Sequence, residues 1–172
     1  MVGLVASLWT FSLPDKKAAP FGDVRSVAPL NSEFSPDGRW LAYTLRAFNS
    51  ANVYVEPFPA TGAKYQVTTS NGHHGVWLPD GKGLSFRVAS SEQVVVRVYT
   101  TLGFSAGNPV SVVAGGLPTI DQGVNRTYDV MRDGSRFVTV APASSNRSRV
   151  VESSEIEIVL SWFEQVRRLV PR

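Results

Sequence analysis

Apolar residues recur along the chain in short runs, most of them alternating with polar residues and broken by turn formers before a long helix can develop. Ser7-Leu8-Trp9-Thr10-Phe11-Ser12-Leu13 alternates at period two and predicts a strand, closed by the polar turn Pro14-Asp15-Lys16-Lys17. Residues 18–30 carry little periodicity and are expected to cross to the next unit. Residues 40–46, 53–58 and 63–69 predict three strands, with Asn49-Ser50-Ala51-Asn52 as a loop. Residues 76–78, 84–89, 93–101 and 109–114 predict four more, and residues 127–132 and 136–141 a hairpin. The run 93–101 is rich in β-branched and aromatic residues, which suits a strand covered on both faces. Beyond a polar loop at 142–148, residues 156–160 predict a last strand. Residues 161–169 predict a short amphipathic helix with Ser161 and Glu164 as its capping box, ended by Pro171.

Three turns share one device. Ser35-Pro36-Asp37-Gly38, Leu78-Pro79-Asp80-Gly81 and Met131-Arg132-Asp133-Gly134 each precede an apolar strand. Proline presets φ for a type I turn, aspartate suits the next position, and glycine accepts the positive φ that follows. Asp37 and Asp80 lie 43 residues apart, and Asp80 and Asp133 lie 53 apart. A repeat of roughly 40–50 residues with short strands in each unit points to propeller blades. The expected fold is all-β, a partial β-propeller of four-stranded antiparallel blades within one fragment, 1–172. Its expected divisions are a partial blade and crossover over 1–30, blades over 31–72 and 73–116, and a final blade with the C-terminal segment over 117–172.

With the repeats laid out, Ser35-Pro36-Asp37-Gly38 and the strand Trp40-Leu41-Ala42-Tyr43 resemble the repeat of the TolB-like, WD40-like (PD40) β-propeller family. Val53-Tyr54-Val55-Glu56-Pro57-Phe58-Pro59 resembles, more narrowly, the C-terminal propeller region of bacterial eukaryotic-type serine/threonine kinases. So do Tyr128-Asp129-Val130 ahead of Asp133-Gly134 and Arg136-Phe137, and Ile158-Val159-Leu160-Ser161-Trp162-Phe163. The resemblance runs from about Ser7 onward; Leu78 and Arg132 depart from the repeat's serine and proline. It implies a sensor or scaffold surface that binds a protein, a peptide or a small ligand, on the extracytoplasmic, periplasmic side of a bacterial cell. It carries no kinase activity to this chain, which has no glycine-rich loop before a lysine strand, no His-Arg-Asp and no Asp-Phe-Gly. Two other readings stand beside it: the gating propeller of a prolyl-oligopeptidase-like serine peptidase, and a TolB-type periplasmic interaction propeller. Val170-Pro171-Arg172 reads as a chain end, which disfavours a hydrolase domain after it.

Charge narrows the partners. Seventeen basic and 14 acidic residues give a net charge of +3, and the two signs are interspersed, so no basic stripe is laid out for nucleic acid. There is no cysteine, which removes disulfides, zinc-thiolate sites and thiol chemistry. Residues 1–13 lack a basic leader region and are too short to span a bilayer, so no membrane insertion by this chain is expected. No cofactor is expected either.

Candidate chemistry is sparse. Gly103-Phe104-Ser105-Ala106-Gly107 matches the G-x-S-x-G nucleophile elbow, yet Asn108-Pro109 follows where the elbow needs a helix. The only histidines, His73 and His74, precede Ser105, opposite to the hydrolase order. As neighbours on a strand they should face opposite ways, which argues against one shared metal, while an innermost strand would place them at a channel mouth as candidate ligand residues. Asp37, Asp80 and Asp133 are expected to form turns on separate blades rather than a carboxylate cluster. Trp9, Trp40, Trp77 and Phe137 are expected to fill the space between blades. An incomplete array leaves an apolar blade face at each end, so self-association or marginal stability is expected.

Overall fold

Antiparallel hairpins stacked on one another make up the chain, whose computed structural model describes residues 5–47, 50–69, 71–88, 92–112 and 125–140. These residues hold thirteen strands and no helix. β1 (Ala6–Ser12) and β2 (Lys17–Ser26) form a two-stranded sheet. β3 (Glu33–Phe34), β4 (Trp40–Ala47), β5 (Ser50–Pro57) and β6 (Tyr65–Gln66) follow in sequence order as a four-stranded blade. The next blade contains β7 (Gly72–Trp77), β8 (Gly83–Val88) and β9 (Glu92–Tyr99). Its far edge is shared by two short strands, β10 (Ser105–Ala106) and β11 (Val110–Ser111). Pro109, with no N–H to give, sits in the break between them. β12 (Tyr128–Val130) and β13 (Phe137–Thr139) form the last hairpin. The chain divides into two compact units, Met1–Pro142 and Ala143–Arg172, and every described residue belongs to the first. The loop expected at 142–148, the strand at 156–160 and the helix at 161–169 lie outside the described residues.

Side chains alternate across a strand, so a blade between two others must be apolar on both faces. β4 meets that demand. Trp40 and Ala42 point into one core with Val53, Val55, Trp77, Leu84, Phe86, Val94, Val96, Val98 and Phe104. Leu41 and Tyr43 point the other way, into a second core with Leu8, Phe21, Val24 and Leu30. Each core is one interface between neighbouring blades.

The structure departs from the sequence pattern at residues 18–30, at 50–52 and at Trp9. Residues 18–30 were expected to be a crossover, yet β2 pairs with β1 from Ser12↔Lys17 to Ala6↔Ser26. A register shift between Ser7 and Trp9 and the positive φ of Gly22 put the buried apolar residues of β2 at Phe21 and Val24, three apart, which hides the period-two signal. Residues 50–52 belong to β5 rather than to a loop, with Ala47↔Ser50 and Arg46↔Ala51 in register. Trp9 does not fill an interface: it is 61% exposed, as Phe11 is at 59%, while Leu8 is the residue of β1 that enters the core. Trp40 and Trp77 are buried as expected. Phe137 is half-buried, its ring 6.3 Å from that of Tyr128.

Candidate functional site at the inner strands

The three Asp-Gly turns superimpose bond for bond. Gly38 N donates to Ser35 O, Gly81 N to Leu78 O and Gly134 N to Met131 O, at 2.8–2.9 Å. The glycines take φ of 70°, 68° and 70°. In each turn the aspartate accepts the backbone N–H two residues on, from Arg39, Lys82 and Ser135. Each carboxylate is spent on its own turn, as an Asx turn requires. In the first turn the Ser35 hydroxyl also donates to Asp37 (2.6 Å) and accepts from Trp40 N. The third turn has methionine in that place, and Ser135 donates to Asp133 instead, at 2.7 Å.

These bonds depress the carboxyl of Asp133, first through Ser135 N. They hold that of Asp37 at about 2 against an ordinary 3.8, first through the Ser35 hydroxyl and then through Arg39. A carboxyl that ionises more readily folded than unfolded adds stability that is full above its unfolded value and is lost as pH falls through its folded one. The melting temperature should therefore drop as pH falls from 3.8 towards 2, and Asp37→Asn should flatten that drop. The difference between the two proteins, followed by circular dichroism, isolates Asp37 from every other group. Parallel curves would refute the assignment.

His73 and His74 lie on β7, the innermost strand of their blade, and both are buried. They do not alternate as neighbours on a regular strand would. The β7–β8 register shifts between His73 and Val76, and His74 takes φ of 57°, so the two rings meet edge to face with centroids 4.6 Å apart. Asn31, 43 residues earlier, takes a φ of 46° at the equivalent place. The left-handed kink is a repeat feature that no period-two reading reveals.

The kink turns the His74 backbone into a joint between three sheets. Its N–H donates to Thr44 Oγ1 on β4 (2.9 Å), and its carbonyl accepts from the Tyr128 hydroxyl on β12. Tyr128 also donates to Ser85 O on β8, at 3.2 Å. Arg87, fully buried on β8, lies 5.0 Å from the Tyr128 ring and donates to Thr127 Oγ1 and Thr139 Oγ1. Gln93 donates to Ser85 Oγ at 2.6 Å beneath them. Burial pushes the Tyr128 hydroxyl well above the usual phenol range, so it remains a donor. None of these partners stands out in the sequence as a candidate site residue, Tyr128 entering only through the family resemblance. A lone arginine or tyrosine on a strand signals nothing until the neighbouring blade is placed beside it.

At the rim of the same strands Arg126 pairs with Glu33 at 2.6 Å, and Arg126 N donates to Asn31. Both side chains are about 30% exposed. Burial raises the Glu33 carboxyl, and Arg126 opposes that shift. Arg126 and Thr127 thus bond to the two neighbouring blades. Ser105 lies on the edge strand β10, exposed, and no helix follows it among the described residues. No group of three metal-ligating side chains occurs among the described residues. No helix there is long and apolar enough to cross a membrane.

No protein-family model matches the chain, and no curated protein matches it. Among solved structures it is similar to TolB from Acinetobacter baumannii, with a TM-score of 0.54 and 17% sequence identity. The match covers 81% of this chain and 33% of that one, so the chain spans about a third of the length of that protein. At this identity the likeness speaks for the fold alone, and together with the sheets it makes the chain a partial, TolB-like β-propeller.

Proposed function

We propose that the chain is a non-catalytic β-propeller module for binding or scaffolding, serving as the C-terminal sensor region of a bacterial receptor-like serine/threonine kinase. The observation that carries the binding role is the inner-strand rim. Asn31, Glu33, Arg126 and Asp129, from two different hairpins, bring both signs of charge to one partly exposed edge. The His74 backbone ties the hairpin that carries Arg126 and Asp129, through Tyr128, to β7 and β4. Such a rim suits a protein or peptide partner better than a nucleic acid. The kinase attachment rests on the sequence resemblance of residues 53–59, 128–130, 133–134, 136–137 and 158–163. A TolB-type interaction propeller is the second reading, compatible with the shared fold. The gating propeller of a prolyl-oligopeptidase-like peptidase is the third.

The binding role is tested by selecting a displayed library of short peptides on the purified chain and titrating the winners by calorimetry. Saturable binding that weakens at least tenfold in Arg126→Ala, with the fold retained by circular dichroism, is expected. Failure to select any saturable peptide, or a nitrophenyl-ester hydrolysis abolished by Ser105→Ala, would overturn it. The coding sequence around this chain separates the parents: a kinase domain upstream, a secretion signal alone, or a hydrolase domain downstream.

A further inference from the structure

We infer that Asn71 is a self-modifying site, whose side chain cyclises onto Gly72 and reopens to an isoaspartyl form that loosens two neighbouring blades from each other. Asn71-Gly72 is the one Asn-Gly pair in the sequence. Glycine has no Cβ to hold its nitrogen away from the preceding side chain, so this pair gives a backbone amide its least hindered approach to an asparagine carbonyl. The structure adds to that local chemistry. Asn71 is exposed, so leaving ammonia and incoming water have an open path. Its φ is 57°, in the left-handed region that asparagine tolerates. Its Oδ1 accepts a hydrogen bond from Ala51 N at 2.8 Å.

The hydrogen bond from Ala51 is the decisive feature. When the Gly72 nitrogen attacks Cγ of Asn71, negative charge develops on Oδ1. A backbone N–H already aimed at that oxygen stabilises the charge with no reorganisation at the moment of reaction. The N–Cγ bond forms, the Cγ–Nδ2 bond breaks, and the proton of Gly72 N leaves with Nδ2 as ammonia. Nothing is oxidised or reduced. One water then opens the cyclic imide. Attack at Cγ gives aspartate, and attack at the main-chain carbonyl of Asn71 gives isoaspartate, whose backbone runs one carbon longer.

The place of Asn71 in the fold gives that extra carbon its consequence. β5 pairs with β6 at Tyr54 and Val55, and side chains beyond β6 serve the neighbouring N–H groups of β5. Thr68 Oγ1 accepts from Val53 N, and Asn71 Oδ1 from Ala51 N. The chain then enters β7 at Gly72, which is buried and where an added Cβ would collide with Thr68. A longer backbone finds no room there. Aspartate at 71 keeps the acceptor for Ala51 N. Isoaspartate carries it away and displaces the start of β7, just before the His74 backbone that bonds to Thr44 and Tyr128. The modification therefore acts on the joint between blades and spares the β4–β5 ladder within one of them.

The test ages the full 172-residue chain in mildly alkaline buffer and maps its peptides by mass spectrometry. Asn71 should convert to the acid at least tenfold faster than Asn31, Asn49, Asn52, Asn108, Asn125 or Asn146, and at least as fast as in the same chain unfolded in urea. Isoaspartyl methyltransferase with a labelled methyl donor should mark the peptide that carries residue 71. Asn71→Gln, whose longer side chain closes a ring more slowly, should reduce that label at least tenfold. In the isoaspartyl fraction the His74 amide should exchange with solvent at least tenfold faster than in fresh protein. Equal rates at the other asparagines, a tenfold protection of Asn71 by folding, or a label undiminished in Asn71→Gln would each overturn the site. Unchanged His74 exchange in the isoaspartyl fraction would overturn its effect on the blades.

Discussion

Trp40→Ala is expected to destabilise the fold by about 3–5 kcal/mol, the usual cost of emptying a buried tryptophan site. Trp40 opens β4 directly after the first Asp-Gly turn and is 9% exposed. Its ring packs on Tyr65 at 6.1 Å and on Phe104 at 5.5 Å, and those two rings are themselves 5.3 Å apart. Tyr65 belongs to one blade and Phe104 to the next, so the loss falls on the interface as well as on one strand. The cavity cannot collapse readily, because β4 is held by the β5 ladder on one side and by β3 on the other. Urea unfolding followed by tryptophan-independent circular dichroism measures the change. A shift below about 1 kcal/mol would mean that the three rings do not form one packed cluster.

Gly75→Val should cost about 3 kcal/mol by overpacking. Gly75 lies on β7 where that strand crosses β5, and a Cβ there would sit 2.8 Å from Val53 Cγ1 and 3.8 Å from Leu84 Cδ2. Val53 and Leu84 are both fully buried and have no open space to retreat into. Gly75→Ala should show the same sign with a smaller value, and Val53→Ala should partly rescue either variant by vacating the contact. Additive losses in the double variants would show that the two positions do not touch.

The sequence made the repeat legible because the turn chemistry is local. Proline, aspartate and glycine act within four residues, and their spacing exposes the 43-residue period without any tertiary knowledge. Strand β4 is equally plain, because Trp40-Leu41-Ala42-Tyr43 is apolar on both faces, and β5, β8 and β9 place apolar residues at every second position. The failures have physical causes as well. β2 was missed because the bulge and the Gly22 turn shift its buried positions to a spacing of three. Trp9 was assigned to an interface because alternation reveals that two faces differ and not which face has a neighbour. The His74 joint was invisible for a different reason: an αL kink in an innermost strand has no compositional signature. Its partners Thr44, Arg87 and Tyr128 come from three sheets and are related only through the stacking itself. His73 and His74 can be picked out of the sequence by residue type alone, while the polar network that surrounds them cannot.

Neighbouring sheets are keyed together at His74. Amide hydrogen exchange of that residue measures this most directly, since its N–H bonds to a side chain on another sheet rather than to its own ladder. The His74 amide should exchange as slowly as the β4–β5 ladder amides, and Thr44→Val should accelerate it at least tenfold. A His74 amide that exchanges at the rate of the surface turns, or one indifferent to Thr44, would contradict that keying.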